Sequence, residues 1–209
     1  MRMILKGFRF GFLLQIAIGP VFLFVLKTAT ESGILAAEAA VIGVTLVDAL
    51  FVTLAILGIG KIIDKPGYKY AMKLFGAAVL FYFGLGTILG VFNIYIIPGL
   101  SGVINSARIT NAFIFSVVLT SSSPLTILFW TGVFASKMAD EGFTKTDMRF
   151  FGMGAVLTTL VFLGVVAFVA GLLKPFMTTT IISILNLIVG FVLIGFSVKM
   201  LLKKVVSGN

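Results

Sequence analysis

Asp48 is the residue of this sequence that most clearly offers chemistry, because it is an acid deep inside a long apolar stretch. The other six acids lie near the ends of such stretches or between them: Glu31, Glu38, Asp64, Asp140, Glu141 and Asp147. An ionised carboxylate at the centre of a membrane helix costs about 2.5–3.5 kcal/mol on insertion scales, so it faces a cavity, pairs or is protonated. Asp48 is therefore a candidate proton or cation site. The alternative is a structural carboxyl held by hydrogen bonds from neighbouring helices.

Two prolines interrupt apolar stretches at corresponding places in the two halves of the chain, at Gly19-Pro20 and at Ser123-Pro124. Proline has no N–H and crowds the carbonyl of the preceding turn, so a helix kinks or opens there. Open backbone at membrane depth persists only where protein or a water-filled cavity covers it. Paired breaks of this kind predict a binding site near the middle of the membrane, with the two breaks facing each other.

Polar side chains accompany the acid and the two breaks. Thr45 lies one helical turn before Asp48, and Gln15 lies one turn before the first break. Hydroxyls near the second break and an amide in the last apolar stretch are further candidates, although such residues are also ordinary contacts between membrane helices. The complete set of candidate residues for a substrate and proton pathway is Gln15, Gly19, Pro20, Thr45, Asp48, Ser121, Ser122, Ser123, Pro124, Thr126, Trp130 and Asn186.

The composition places these residues in a membrane. The 209 residues are 60% hydrophobic and 11% charged, against about 25% charged residues in soluble domains. Cysteine and histidine are both absent, which excludes disulfides, haem ligation by those residues and the usual zinc sites. We expect neither cofactor nor metal. The net charge of +9 indicates contact with anionic lipid headgroups and not with nucleic acid, because the basic residues lie between apolar stretches.

Six apolar stretches are long enough to cross a bilayer. They predict an all-α integral membrane protein with one domain over residues 1–209 and spans at 4–27, 35–60, 70–96, 111–136, 149–173 and 178–201. The first span also has the form of a signal peptide, but no cleavage site follows it, so we expect it to be retained. Gly43 and Gly152 share an offset with Gly86 and Gly195. Three spans per half then predict an inverted repeat with halves at about 1–97 and 108–209.

Basic residues predict the orientation of these spans. If the N-terminus is cytoplasmic, thirteen of the sixteen lysines and arginines fall on the cytoplasmic side, and only Lys27, Arg108 and Lys174 fall on the other. The positive-inside rule therefore favours both termini in the cytoplasm, which an even number of spans permits. We expect a multi-pass protein of a prokaryotic cell (inner) membrane.

The sequence resembles the lysine-exporter (LysE/RhtB) family of amino-acid efflux permeases. The resemblance lies in Gln-Ile-Ala-Ile-Gly-Pro-Val-Phe-Leu-Phe-Val-Leu from Gln15, in Glu31-Ser32-Gly33, and in the Gly43…Asp48 pattern. It continues in Ser-Ser-Pro-Leu-Thr-Ile-Leu-Phe-Trp-Thr-Gly-Val-Phe at 122–134 and covers essentially the whole chain. The resemblance implies export of amino acids or related small metabolites, driven by the proton-motive force.

Two positions depart from the family pattern, and both lie next to the predicted breaks. Ile18 stands where many members have proline, and Ser123 stands where many have asparagine. The family's substrates therefore cannot be carried over to this chain. Within this hypothesis the partners are a small-molecule substrate, protons and membrane lipids, and a homodimer is left open.

Other functions need different residues. A membrane-embedded enzyme would require paired acids, serine with histidine or lysine, or a metal site, and the apolar spans contain one deep acid and no histidine. A structural subunit of a membrane complex has no need of Asp48, and a small-ion permease would bind its ion with a single carboxylate, which is thin coordination for a metal. We therefore predict a secondary transporter that is not an enzyme.

Overall fold

The structure, a computed structural model, describes residues 2–15, 19–58, 66–92, 94, 109–122 and 125–202. All regular secondary structure within these ranges is helical. In chain order the helices are α1 (Arg2–Gln15), α2 (Pro20–Ser32), α3 (Ile34–Ile56), α4 (Pro66–Val91), α5 (Ile109–Ser121), α6 (Leu125–Asp140), α7 (Lys145–Leu173) and α8 (Thr179–Leu202), with a short 3₁₀ turn at Lys174–Phe176.

The first predicted span consists of two helices. Helix α1 ends at Gln15, helix α2 begins at Pro20, and their axes differ in direction by 79°. Proline suits the first helical position, where no partner is needed for an N–H, and Gly19 is extended at the N-cap with φ −118°. The fourth predicted span is likewise divided between α5 and α6. Ser123 and Pro124, the predicted centre of that break, lie outside the described residues.

Four described helical segments are long and apolar enough to cross a membrane: Ile34–Ile56, Lys73–Val91, Lys145–Phe176 and Thr179–Leu202. The bent pair α1–α2 makes a fifth if it is counted as one span. Helix α5, with 13 residues, is apolar but too short to cross alone. The described residues are therefore all-helical with four to five candidate spans, consistent with a membrane protein, and the six spans stay a prediction.

Local sequence sets where the central helices begin. Gly33 joins α2 to α3 with a φ of 96°, which favours glycine, and its N–H donates to Ala29 O at 3.1 Å. Thr144 and Asp147 form a reciprocal capping box at the start of α7, where each side chain accepts a hydrogen bond from the other's backbone N–H. These two long helices, α3 and α7, pack against each other and form the centre of the molecule.

Small residues allow the remaining helices to approach this centre closely. Helix α1 packs on α7, where a Cβ at Gly154 would lie 2.0 Å from Ile4 O and one at Gly7 would lie 1.9 Å from Phe151 O. Helices α5 and α6 pack on α3, while α4 packs on α8. The break after α1 thus brings Gln15 close to both central helices, and this position creates the site described next.

Candidate functional site

A partly open cavity of about 320 Å³ lies between α1, α3, α6 and α7. Each of these helices contributes at least one polar side chain or a small residue that leaves room. The lining residues are Gly11, Leu14, Gln15, Asp48, Thr126, Phe129, Trp130, Ala155 and Thr159. The volume suits a small molecule, since ligand pockets are about 300–1,000 Å³.

Three polar side chains from three helices form a hydrogen-bonded relay in this cavity. Gln15 Nε2 on α1 donates to Thr159 Oγ1 on α7 at 2.9 Å. Thr159 Oγ1 in turn donates to Asp48 Oδ2 on α3 at 2.9 Å. When Asp48 is ionised, chemistry fixes this direction, because a carboxylate only accepts and a hydroxyl has a single hydrogen to give. The relay therefore joins the end of α1 to the acid of α3 through one hydroxyl of α7.

Among the described residues that line this cavity, Asp48 is the only one with a charged side chain. Its partner in the relay is a neutral hydroxyl, so no lysine or arginine of the lining compensates its charge. A carboxylate in surroundings of low dielectric favours any group that neutralises it. The cavity is consequently suited to a proton or to the ammonium group of a small molecule.

Aromatic rings close the cavity toward the N-terminal end of α1. Trp130, which lines the cavity and is 7% exposed, packs edge-on against Phe10 with ring centroids 6.2 Å apart, and it stacks on Phe134 at 5.7 Å. Phe151 completes this aromatic layer, 5.4 Å from Phe10 and 6.4 Å from Phe134. Along α1 and α7, Phe10 and Phe151 lie between the relay residues Gln15 and Thr159 and the far ends of these helices.

Charged residues lie on the far side of the aromatic layer, at the connection between α6 and α7. Lys137 donates a hydrogen bond to Glu141, and Lys6 lies 3.7 Å from the same carboxylate. The hydrogen bond from Lys137 lowers the pKa of the Glu141 carboxyl. Phe143 stands next to Phe151 and carries Lys6 over its ring at 5.8 Å. Ion pairs thus connect these ends of α1, α6 and α7, and contacts between aromatic rings connect the same helices closer to the cavity.

The structure brings together four of the predicted site residues and disperses others. Gln15, Asp48, Thr126 and Trp130 all line the cavity. Thr45, although on the helix of Asp48, donates to Val41 O of its own helix at 2.8 Å and does not line this cavity.

The remaining predicted residues lie elsewhere. Ser122 is buried and donates to Val118 O at 2.6 Å, whereas Ser121 is exposed. Gly19 and Pro20 form the start of α2 and are not part of this cavity's lining. Asn186 belongs to α8, which packs on α4 and α2, and it is also absent from the lining.

Thr159 is the residue of this site that the sequence did not single out. It is buried, yet it carries both hydrogen bonds of the relay. The available signal was the pair Thr158-Thr159 in the middle of an apolar helix, but two adjacent threonines point about 100° apart and nothing local shows which one faces an acid. Within the described residues no group of three or more acidic side chains could hold a metal ion.

The helices and the polar cavity define the class of protein: an all-helical membrane protein with an internal site at a helix break, as in transporters. A family profile for LysE type translocators matches residues 12–204. The chain therefore belongs to the LysE type translocator family, which supports a membrane transporter. The family predicted from the proline motifs and Asp48 is thus confirmed.

Two relatives are similar over most of the chain. An uncharacterized membrane protein of Pseudomonas aeruginosa is 29% identical over 141 residues, which are 66% of this chain and 65% of that protein, just under two thirds of its length. The Bacillus subtilis protein named Putative amino acid efflux protein YcgF is 24% identical over 153 residues, 72% of each chain. No solved structure matches the chain.

Proposed function

We propose that this protein is a secondary transporter that exports amino acids or related small metabolites across a prokaryotic inner membrane, driven by the proton-motive force. The observation that carries the proposal is the relay: the carboxylate of Asp48, without a charged partner among the described lining residues, is held in a cavity next to the break in the first span. The name of the Bacillus relative, Putative amino acid efflux protein YcgF, supports the substrate class.

The proposed mechanism is competition for one carboxylate. A proton and a substrate ammonium each neutralise Asp48, so binding of one displaces the other. Entry of a proton from the outside would release the substrate there, and loss of that proton to the cytoplasm would let the next substrate bind. Trp130 and Phe129 would supply the apolar and aromatic wall against which the rest of the substrate packs.

We also propose the inverted arrangement of two halves, about 1–97 and 108–209, in a single transmembrane domain. The packing partners support it: α7 packs on α1 and α2, as α3 packs on α5 and α6, while α3 packs on α7 and α4 packs on α8. Such exchange of partners between halves is what a two-fold axis in the membrane plane produces.

The proposed orientation places both termini in the cytoplasm. The distribution of charge supports it, because this orientation puts thirteen of the sixteen basic residues on the cytoplasmic side. Reporter fusions after Asn209 and after Ser101 are expected to report opposite sides of the membrane, with the C-terminus inside. A periplasmic reporter signal at Asn209 contradicts the orientation.

The decisive experiment measures efflux of a mixed amino-acid pool from proteoliposomes under an imposed pH gradient. Asp48→Asn keeps volume and hydrogen bonding but fixes the neutral state, so gradient-driven efflux is expected to fall by orders of magnitude at normal protein level. Asp48→Glu is expected to keep partial activity. Glu38→Gln is the matched control, since it neutralises another acid of α3 that does not line the cavity. Robust efflux by the Asn variant rejects Asp48 as the proton site.

A further inference from the structure

We infer that Thr159 is a positioning residue that couples the protonation of Asp48 to the end of α1, so that a proton and a substrate ammonium have different effects on that helix. The inference rests on the proposed function and assigns it a switching element. It follows from the chemistry of one hydroxyl group, which has a single hydrogen and two lone pairs.

With Asp48 ionised, the hydrogen of Thr159 is committed to the carboxylate and a lone pair accepts the Gln15 amide. Both bonds then point toward the negative charge. Hydrogen bonds in such a series polarise one another, and bonds to a charged acceptor are about twice as strong as neutral ones. The ionised state therefore holds Gln15, the last residue of α1, most firmly.

Protonation of Asp48 on Oδ2 reverses the second bond. We place the proton on Oδ2 because that oxygen is the one bonded to Thr159. Its O–H then donates, and Thr159 accepts from it and turns its own hydrogen elsewhere. A threonine in a helix can donate to the carbonyl four residues earlier, as Thr45 does to Val41 O at 2.8 Å. For Thr159 that carbonyl belongs to Ala155. The Gln15 bond then loses its charge assistance, and α1 is held less firmly at the break.

A substrate ammonium neutralises the same charge without reversing any bond. The carboxylate stays an acceptor, Thr159 still donates to it, and Gln15 remains bonded. The relay thus distinguishes the two ligands that compete for Asp48. By linkage, displacement of Gln15 would in turn favour the protonated acid.

No other charged group of the described helices intervenes at this point. The cavity lining contains Asp48 alone among charged residues, and α5 has none. The charged residues of α2, Lys27 and Glu31, bond to each other. The other charged side chains described on the helices around Asp48 lie at least six residues from the relay residue of their own helix or, for Lys137, in the last turn of α6: Arg2, Lys6, Arg9, Glu38, Lys137, Lys145, Asp147 and Arg149.

The test follows α1 directly and needs no substrate. The chain contains no native cysteine, and the side chain of Leu13 on α1 is 69% exposed. The variant Leu13→Cys therefore accepts a single nitroxide label. We expect its mobility in detergent to change with pH in the otherwise wild-type protein. Thr159→Val, which removes the hydroxyl, is expected to abolish that change, and Thr159→Ser is expected to retain it.

Thr158→Val is the matched control. Thr158 lies next to Thr159 and also bonds to α1, at Phe8 O, but it does not contact Asp48. Its valine variant is expected to keep the pH response of the label. The inference is overturned if the label responds to pH equally in Thr159→Val and in the wild type. It is also overturned if the response is lost in Thr158→Val but retained in Thr159→Val.

Efflux measurements separate this inference from the proposed function. Thr159→Val is expected to lower gradient-driven efflux about 10- to 100-fold, the factor that corresponds to one hydrogen bond to a charged group, while Thr159→Ser retains it. If Asp48→Asn transports normally, the proposed function fails whatever the label shows. If Asp48→Asn is inactive but the label ignores Thr159→Val, the function stands and the switching role is rejected.

Discussion

The interface of α1 with α7 and the interface of α5 with α3 occupy equivalent places in the two proposed halves, yet they are built differently. Both are close contacts made at glycines. At Gly154 on α7 the nearest atoms are backbone atoms of α1, namely Ile4 O and Phe8 N. At Gly43 on α3 the nearest atom is the side-chain Oγ of Ser116 on α5. The first contact is between backbones, whereas in the second a side chain is the nearest group to the glycine.

Hydroxyl groups also behave differently at the two interfaces. On α7, Thr158 and Thr159 donate to partners on α1 and α3. On α5, Ser116 donates within its own helix, to Phe113 O at 2.7 Å. The comparison teaches that close packing alone does not make a functional site. The α1–α7 interface differs because its hydroxyls link separate helices, and one of those links ends on an acid.

The largest expected loss of stability comes from adding a side chain where the backbones of α1 and α7 touch. Gly154→Ala would place a Cβ 2.0 Å from Ile4 O and 2.8 Å from Phe8 N. Backbone atoms cannot rotate away, so α1 must shift, and we expect a loss of stability at or above the upper end of the about 1–3 kcal/mol typical of overpacking. Thermal unfolding in detergent micelles measures it. A variant as stable as the wild type would show that α1 is not fixed against α7.

A smaller loss of stability is expected at the interface of α5 with α3. The Cβ of Gly43→Ala would lie 2.1 Å from Ser116 Oγ but 2.9 Å from Phe113 O. Adding Ser116→Ala removes the worst clash, so the double variant should recover a part of the lost stability, with a coupling of about 0.5–3 kcal/mol. The same unfolding assay applies to both singles and the double. Strict additivity would mean that the two residues do not meet.

Removal of one cross-helix hydrogen bond has a more modest effect. Thr158→Val deletes the 2.8 Å bond to Phe8 O and keeps the volume of the side chain. We expect a loss of about 0.5–1.5 kcal/mol, the usual net value of one hydrogen bond, with efflux per folded molecule unchanged. A large loss of efflux in a normally folded sample would extend the functional site beyond the relay.

The smallest effect is expected at a glycine without close neighbours. In the described part of the chain, no atom lies within 4 Å of a Cβ added at Gly195 on α8. Gly195→Ala should change stability by about 0.5 kcal/mol or less, in either direction, as for other uncrowded sites. Unfolding midpoints that fall as far as those of Gly154→Ala would show that the glycine effects do not come from packing.

Much of the fold could be predicted from hydropathy, but the end of the first span could not. Apolar content suggested residue 27, whereas α2 continues to Ser32. Its polar residues are satisfied within the helix: Thr28 donates to Phe24 O at 2.8 Å, and Lys27 pairs with Glu31. Hydropathy treats such residues as a boundary because it cannot register hydrogen bonds made to the preceding turn.

The site could be predicted only where a residue was unusual in its own segment. Asp48 was such a residue, as an acid in an apolar helix, and Gln15 adjoined a break. Thr159 was not, because its role depends on which helix lies opposite. Thr45 shows the converse: it shares a helical face with Asp48, but its hydroxyl bonds to its own helix. Which hydroxyl meets an acid is set by packing between helices that are distant in sequence.

The aromatic layer affects how easily α1 can move away from α6 and α7. Opening the cavity at that end by moving α1 would separate Phe10 from Trp130 and from Phe151. Two aromatic pairs are worth about 1–3 kcal/mol beyond their buried area. These two pairs alone would favour the arrangement with the rings in contact by about 5- to 150-fold. Within the proposed transport cycle, moving α1 would therefore work against contacts that exist before any ligand binds.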